Sequence, residues 1–314
     1  MEHLGRREFL AAGLAAGAGL AAAANAHTPR STSITAHSPA RTPSAPQPLA
    51  IKYSLKFGMI EPGTSVLEKF RAVRDCGFDG VELDSPGMPP AEEVRHAIAE
   101  TGIVVPGVVN STHWQTPFSH PDSAVRAKMR DSLITSIKDC AAVGGTTVLL
   151  VPAVVSKEVS YADAWDRSRD EIARLLPVAR DNNIKIAIEN VWNNFLLSPI
   201  EAARYIDSFD NDTIGWYFDV GNIVNYGWPE HWIRTLAHRI LKLDVKEFSR
   251  KKRNDEGLWK GFAVEIGDGD CDWPAVMAAL RAVNYTGGWA SAEVAGGDEN
   301  RLRDIADRMK RLVV

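Results

Sequence analysis

From Ile51 onward, short apolar runs alternate with longer amphipathic segments, and polar or Gly-rich residues close each run; this is the rhythm of a βαβα chain. The runs Tyr53–Ile60, Gly80–Asp84, Val104–Asn110, Thr146–Val151, Lys185–Glu189, Ile214–Asp219, Ile240–Lys246 and Trp289–Val294 read as strands. Helical periodicity fills Ser65–Cys76, Ala91–Thr101, Ala124–Val143, Ala162–Asp181, Pro199–Phe209, a short stretch near Glu230–Ala237, Trp273–Val283 and Glu299–Leu312. Eight strand–helix units in about 260 residues match a (β/α)₈ barrel. A doubly wound open sheet usually has fewer strands, and no G-x-G-x-x-G turn follows the first run. The pattern predicts an α/β protein, a (β/α)₈ TIM barrel forming a single domain over 51–314.

One strand breaks the pattern. In Arg239–Arg250, RILKLDVKEFSR, Leu241, Leu243 and Val245 form an apolar row, while the opposite row is Lys242, Asp244 and Lys246. Charges there are at odds with a strand buried on both faces.

The chain of 314 residues has a net charge of -4, 45% apolar and 24% charged content, ordinary for a globular protein. The acidic balance offers no general attraction for nucleic acid or anionic lipid, and the basic run Arg250, Lys251, Lys252, Arg253 reads as a solvated loop. Cys76, Cys140 and Cys271 are odd in number and widely spaced, so they read as buried structural thiols. The N-terminus stands apart. Arg6-Arg7-Glu8-Phe9-Leu10 precedes an Ala/Gly/Leu stretch ending at Ala24-Asn25-Ala26, which reads as a Tat signal peptide over 1–26, followed by a flexible Thr/Ser/Pro-rich leader over 27–50. Export to the periplasm or beyond, with no stable membrane anchor, is the expectation.

In a barrel, active groups sit at the C-terminal strand ends. IAIENVW ends a strand at Glu189, WYFDVGN ends one at Asp219, LKLDVKEF carries Asp244, and WASAEV ends at Glu293. Four carboxylates from strands 5 to 8 would meet around one axis, and like charges so placed call for a cation. Oxygen donors suit Mn²⁺ or Mg²⁺, with Co²⁺ or Zn²⁺ as alternatives.

Cys76-Gly77-Phe78-Asp79-Gly80-Val81-Glu82-Leu83, Ser111-Thr112-His113-Trp114, Ile188-Glu189-Asn190, Phe218-Asp219-Val220-Gly221-Asn222, Ile266-Gly267-Asp268-Gly269-Asp270 and Ala292-Glu293-Val294 occur in order along the chain. With these fragments the sequence resembles the xylose-isomerase-like TIM-barrel family of sugar isomerases and epimerases, from about residue 53 to 312. The resemblance implies metal ligands at Glu189, Asp219, Asp244 and Glu293. The family's strand 7 usually reads His-x-Lys-Asp, whereas here the register is Asp244-Val245-Lys246-Glu247, so Asp244 is either a direct ligand or a group behind one. The resemblance further implies Glu189 and Glu293 as catalytic acid and base, and Glu82, His113, Asn222 and Arg250 as groups that hold substrate hydroxyls or orient ligands. Lys246 would face the carboxylates or the substrate, and Trp114 would stack on a sugar face or pack.

The implied chemistry is proton abstraction beside a carbonyl, through an enediolate stabilised by the cation. Export, together with Asp298 and Glu299 at the start of the last helix where a phosphate would need bare N–H groups, points to a non-phosphorylated sugar or keto-sugar. β-Elimination on a 3-keto-glycoside and a non-catalytic sugar-binding barrel are the alternatives. A metal-dependent abasic-site endonuclease would need several histidines at strand ends, and only His113 is so placed. The expected partner is a small-molecule sugar, not nucleic acid; a homo-oligomer is compatible with the sequence.

Overall fold

The computed structural model describes residues 49–313. The Tat segment, its cleavage pattern and all but the last two leader residues lie outside the described residues. The elements run β1 (Lys52–Lys56), α1 (Val66–Asp75), β2 (Gly80–Ser85), α2 (Ala91–Thr101), β3 (Gly107–Asn110), α3 (Ser123–Ala142), β4 (Thr147–Leu150), α4 (Tyr161–Asp181), β5 (Lys185–Glu189), α5 (Pro199–Asp207) and β6 (Ile214–Asp219). They continue α6 (Val220–Val224), α7 (Pro229–Leu236), β7 (Ile240–Val245), α8 (Arg250–Glu256), α9 (Trp273–Ala282), β8 (Trp289–Ala292) and α10 (Glu299–Leu312). The strands pair in parallel in chain order, and β8 closes on β1, giving the TIM barrel that the alternation predicts.

Local chemistry sets the helix starts. Ser65 and Glu68 form a reciprocal capping box on α1, and Ser160, Ser198 and Asp298 cap α4, α5 and α10 through their side chains. Along α10, Leu302, Ile305, Ala306 and Met309 return at helical spacing and are all buried, the face that packs onto the barrel. Between helices and sheet lies one continuous apolar layer that includes Leu55, Phe70, Val81, Ile188, Phe218, Leu243 and Ile305.

The third strand is shorter than its apolar run. Pro106 has no N–H to give to a ladder, so pairing in β3 starts at Gly107, while Val104 keeps only an isolated bridge to Gly80. Two short helices were not evident from periodicity. One is α6, capped by Asp219 itself. The other is α8, which turns the basic run at Arg250–Arg253 into a helix capped by Ser249 rather than a loop.

The charged row of β7 also departs from strict alternation. Pairing with β6 shifts between Trp216 and Tyr217, so that Ile240 faces Trp216 and Lys242 faces Tyr217, and Leu241 is the extra residue. The bulge turns Leu241 inward, where it packs against Leu149, Ala187 and Tyr217 on the lumen floor. Gly215 makes room for it, since a Cβ there would stand 2.6 Å from Leu241 Cγ. Leu243 and Val245 keep the outward apolar row, and Lys242, Asp244 and Lys246 look into the barrel.

Candidate active site

Glu189, Asp219, Asp244 and Glu293 come together at the C-terminal mouth of the barrel, with one oxygen from each lying within 4.8 Å of all the others. The first three are buried and Glu293 is half-buried. Each is held by neighbours that the local sequence supplies. Asn190, next to Glu189, accepts from the Asp219 N–H (3.0 Å) and Trp216 Nε1 (3.0 Å) and donates to the Asp219 carbonyl (2.7 Å), which clamps the ends of β5 and β6 together. The Asn222 N–H donates to Asp219 Oδ1 (2.8 Å), so Oδ1 is fixed as a helix cap and Oδ2 faces the cluster. Gly221 permits this turn, because a Cβ there would meet the Lys246 backbone at 2.8 Å. The Glu293 N–H donates to the Val245 carbonyl (3.1 Å), which aligns β8 with β7 just past the end of the strand.

Glu247 explains a further motif. Its carboxylate accepts from the N–H groups of Phe248 (3.2 Å), Gly267 (2.7 Å) and Cys271 (3.0 Å) and from Trp273 Nε1 (3.0 Å). The Ile266–Asp270 segment is therefore tied to the end of β7, behind Lys246 and Asp244.

Three lysines run through the cluster. Lys246 Nζ lies 3.0 Å from Asp219 Oδ2 and 3.2 Å from Glu293 Oε1. Lys56, at the end of β1, lies 2.8 Å from Asp244 Oδ1 and 2.6 Å from Glu82 Oε2. Lys242 lies deeper, 3.6 Å from Glu82 Oε1, and donates to the Pro106 carbonyl. Glu82 is the hub of this lower layer, accepting in addition from the Tyr217 hydroxyl at 2.8 Å.

The electrostatics follow. Burial, reinforced by the charges of Glu293, Asp244 and Asp219, pushes Glu189 well above the usual carboxylate range. Burial and the surrounding carboxylates likewise raise Asp244 well up against the opposing charge of Lys56, and Asp219 rises in spite of Lys246. Burial would also raise Glu293, but Lys246 and Lys56 outweigh it and hold Glu293 low. Glu82 is desolvated too, yet Lys56 and Lys242 bring it down to about 2. Burial pulls Lys242 down to about 8.

The donor set fits a hard divalent cation. Asp219 Oδ2 and Asp244 Oδ1 are buried without a hydrogen bond, although a lysine ammonium stands near each. The carboxylates Glu82, Glu189, Asp219, Asp244 and Glu293 outnumber the lysines Lys56, Lys242 and Lys246 set among them, and Asp84 adds a further acid beside Lys56, an excess of acidic groups that a divalent cation would offset.

A cavity of about 1260 Å³ opens above the cluster, lined at its floor by Lys56, His113, Glu189, Asn222, Lys246 and Glu293. Burial holds His113 down to about 4, so its ring is neutral at pH 7. Its Nδ1 accepts the Val151 N–H (3.2 Å), which leaves the proton on Nε2 as a donor. Trp114 stands half exposed at the mouth, edge-on to His113 with centroids 5.8 Å apart.

Of the residues that the resemblance implies as holding substrate hydroxyls or orienting ligands, Glu82 and Arg250 lie off the cavity wall. Glu82 is not on the cavity wall, because its oxygens are taken by Lys56, Tyr217 and Lys242 beneath it. Arg250 turns away in α8, where it donates to the Val224 (3.0 Å) and Gly227 (2.8 Å) carbonyls and stacks over Trp228. Sequence reasoning missed Lys56, which lies on the cavity wall. Alternation held the signal for Lys56, since Ser54 and Lys56 share the inward face of β1 while Leu55 enters the outer core.

Residues 70–312 match the xylose isomerase-like TIM barrel family. The chain belongs to this family. Over 258 residues it is 24% identical to the L-ribulose-5-phosphate 3-epimerase UlaE of Salmonella paratyphi C, covering 78% of this chain and 87% of that one. Among solved structures, an L-ribulose 3-epimerase superposes with a TM-score of 0.70 at 19% identity, over 84% of this chain and 93% of the other. The apo 3-keto-D-glucoside 4-epimerase YcjR of Escherichia coli gives the same TM-score and identity, over 84% of this chain and 99% of the other. Among the described residues no helix is long and apolar enough to cross a membrane.

Proposed function

We propose that this chain is a divalent-metal-dependent epimerase or isomerase acting on a non-phosphorylated sugar or keto-sugar, exported through the twin-arginine route. The observation that carries the reading is the convergence of Glu189, Asp219, Asp244 and Glu293 within 4.8 Å at the floor of a deep cavity. These four residues would hold the ion, with Mn²⁺ or Mg²⁺ preferred because every donor is a carboxylate oxygen. The bound cation supplies charge stabilisation to oxygen atoms flanking the carbon that loses its proton.

The protein's own groups do the rest. Glu189 and Glu293, closing the fifth and eighth strands, are the carboxylates suited to take a proton from that carbon and to return one. Delivery on the opposite face inverts the carbon; return to the adjacent carbon moves the carbonyl. The His113 Nε2–H and Asn222 are placed to orient substrate hydroxyls, and Lys246 keeps Asp219 and Glu293 in register.

UlaE and the chain's other sugar-phosphate relatives leave phosphorylation of the substrate to be decided on this chain's own residues. At the start of α10, where a phosphate would seek bare amides, the Asp298 side chain already accepts the Arg301 N–H (2.9 Å) and Glu299 adds a second acid. A free sugar fits that end better, and free sugars are what an exported enzyme meets. With Mn²⁺-loaded protein, turnover of free ketoses or keto-glucosides should exceed that of the matched 5- or 6-phosphates at least tenfold. Preference for the phosphates would overturn the substrate assignment.

A further inference from the structure

The cavity is larger than one sugar ring needs. At about 1260 Å³ it exceeds the roughly 300–1,000 Å³ of pockets that take drug-sized ligands. The carboxylate cluster and its lysines are gathered at the floor, while the wall carries Trp114, Trp192, Trp259 and Phe262, with Leu258 and with Glu256 and Lys260 flanking the segment of Trp259.

The aromatic wall is built, not incidental. Trp192 Nε1 donates to the Asn222 carbonyl (2.9 Å), which fixes the indole to the helix that follows Asp219. Around Trp192 stand Trp259 and Phe262, each with ring centroids 5.0 Å away and tilted by 42° and 40°, and Phe262 rests edge-on against the buried Phe248 at 4.9 Å. The segment that carries Trp259 is anchored by the Ser249 N–H to the Gly261 carbonyl (2.7 Å) and by Lys252 to the Ala263 carbonyl. Lys246 Nζ, the partner of Asp219 and Glu293, lies 5.6 Å from the Phe262 ring centroid, so the aromatic wall begins where the carboxylate cluster ends. Trp259 nevertheless leaves 71% of its surface open, Trp114 47% and Leu258 45%, and all three line the cavity. Rings held rigid from behind and bare in front cost little entropy to engage.

We infer that Trp259, Trp192 and Trp114 form a second-ring subsite, and that the ligand is a glycoside whose aglycone is itself a ring, a second sugar or an aryl group, stacked on this wall while the first sugar reaches the carboxylates. The inference rests on the proposed sugar-directed reading and names its substrate class. Aromatic faces meet the C–H face of a sugar or the π face of an aryl group, and neither interaction requires a charge on the ligand.

Binding, read apart from turnover, provides the test. Mn²⁺-loaded wild-type and Trp259→Ala proteins are titrated with glucose, cellobiose and phenyl β-D-glucopyranoside, following heat release. Phenyl glucoside, cellobiose or both should bind at least tenfold more tightly than glucose, and the one that does identifies an aryl or a sugar aglycone. Trp259→Ala should reduce that affinity ratio by about tenfold, the worth of one aromatic contact, with an unchanged thermal unfolding midpoint. Equal affinity for all three probes, no binding of any up to tens of millimolar, or a ratio untouched by Trp259→Ala overturns the subsite. A failed subsite leaves proton exchange on a free keto-sugar intact, and failed exchange leaves the binding ratios readable, so the two readings fall separately.

Discussion

Glu189→Gln and Glu293→Gln are each expected to lower kcat by a factor on the order of 10² or more while the fold holds, since each change removes an acid–base group and weakens an ion ligand together. The two losses should differ in kind. Glu189 lies buried against Glu293, Asp244 and Asp219, and its neutral isostere relieves repulsion, so the metal-free Glu189→Gln protein should be at least as stable as the parent. Glu293 is held low by Lys246 and Lys56, and Glu293→Gln strips Lys246 of one of its two partners, so this variant should lose some stability. Urea unfolding with chelator present, alongside steady-state rates, separates them; an unchanged rate in either variant removes that residue from the chemistry.

The second large effect lies at the pair Lys56 and Asp244. Asp244 stands where the family usually has a histidine, and the structure supplies a reason why a carboxylate is tolerated: Lys56 Nζ is 2.8 Å from Asp244 Oδ1. Asp244→His alone replaces a carboxylate yet keeps Lys56, so the floor attracts a cation less strongly and sets a ring against an ammonium. Mn²⁺ affinity should fall about 10- to 100-fold, the scale usual when a partner of a metal site is changed. Adding Lys56→Met restores the parent's formal charge at the floor, and the double variant should regain most of the affinity, with a shift toward Co²⁺ and Zn²⁺ because imidazole is the softer donor. Competition with a chelating dye over the four proteins gives the coupling directly. Additive losses would mean that Asp244 acts independently of Lys56.

Much of this site was legible in the sequence because the barrel imposes order on it. Glu189, Asp219, Asp244 and Glu293 close the successive strands β5 to β8, and strand period and strand order together carry them to one mouth. What stayed hidden depends on distances that period does not encode. Lys56 lay inside an apolar run that continues to Ile60, so the strand's end at Lys56, where a short 3₁₀ turn over Phe57–Met59 takes over, could not be seen. Glu82 pairs in register with Lys56, and the tilt of the barrel sets it below the mouth, a depth that alternation cannot give. Arg250 lies off the cavity wall because Ser249 starts a helix that carries its side chain toward Val224, a turn that no period in the sequence announces. Trp259 escaped notice because the segment around it has neither period, and its orientation comes from Phe248 and Trp192 packing behind it.

The central claim is that four carboxylates and one divalent ion activate a carbon-bound proton of a sugar. Incubation of Mn²⁺-loaded protein with free and 3-keto sugars in D₂O, followed by mass spectrometry, measures this before any product is known. One deuterium should enter a substrate or its epimer at a rate that Glu293→Gln abolishes, and chelation should stop it. A protein that carries stoichiometric metal yet places no deuterium in any sugar of the panel would contradict the claim.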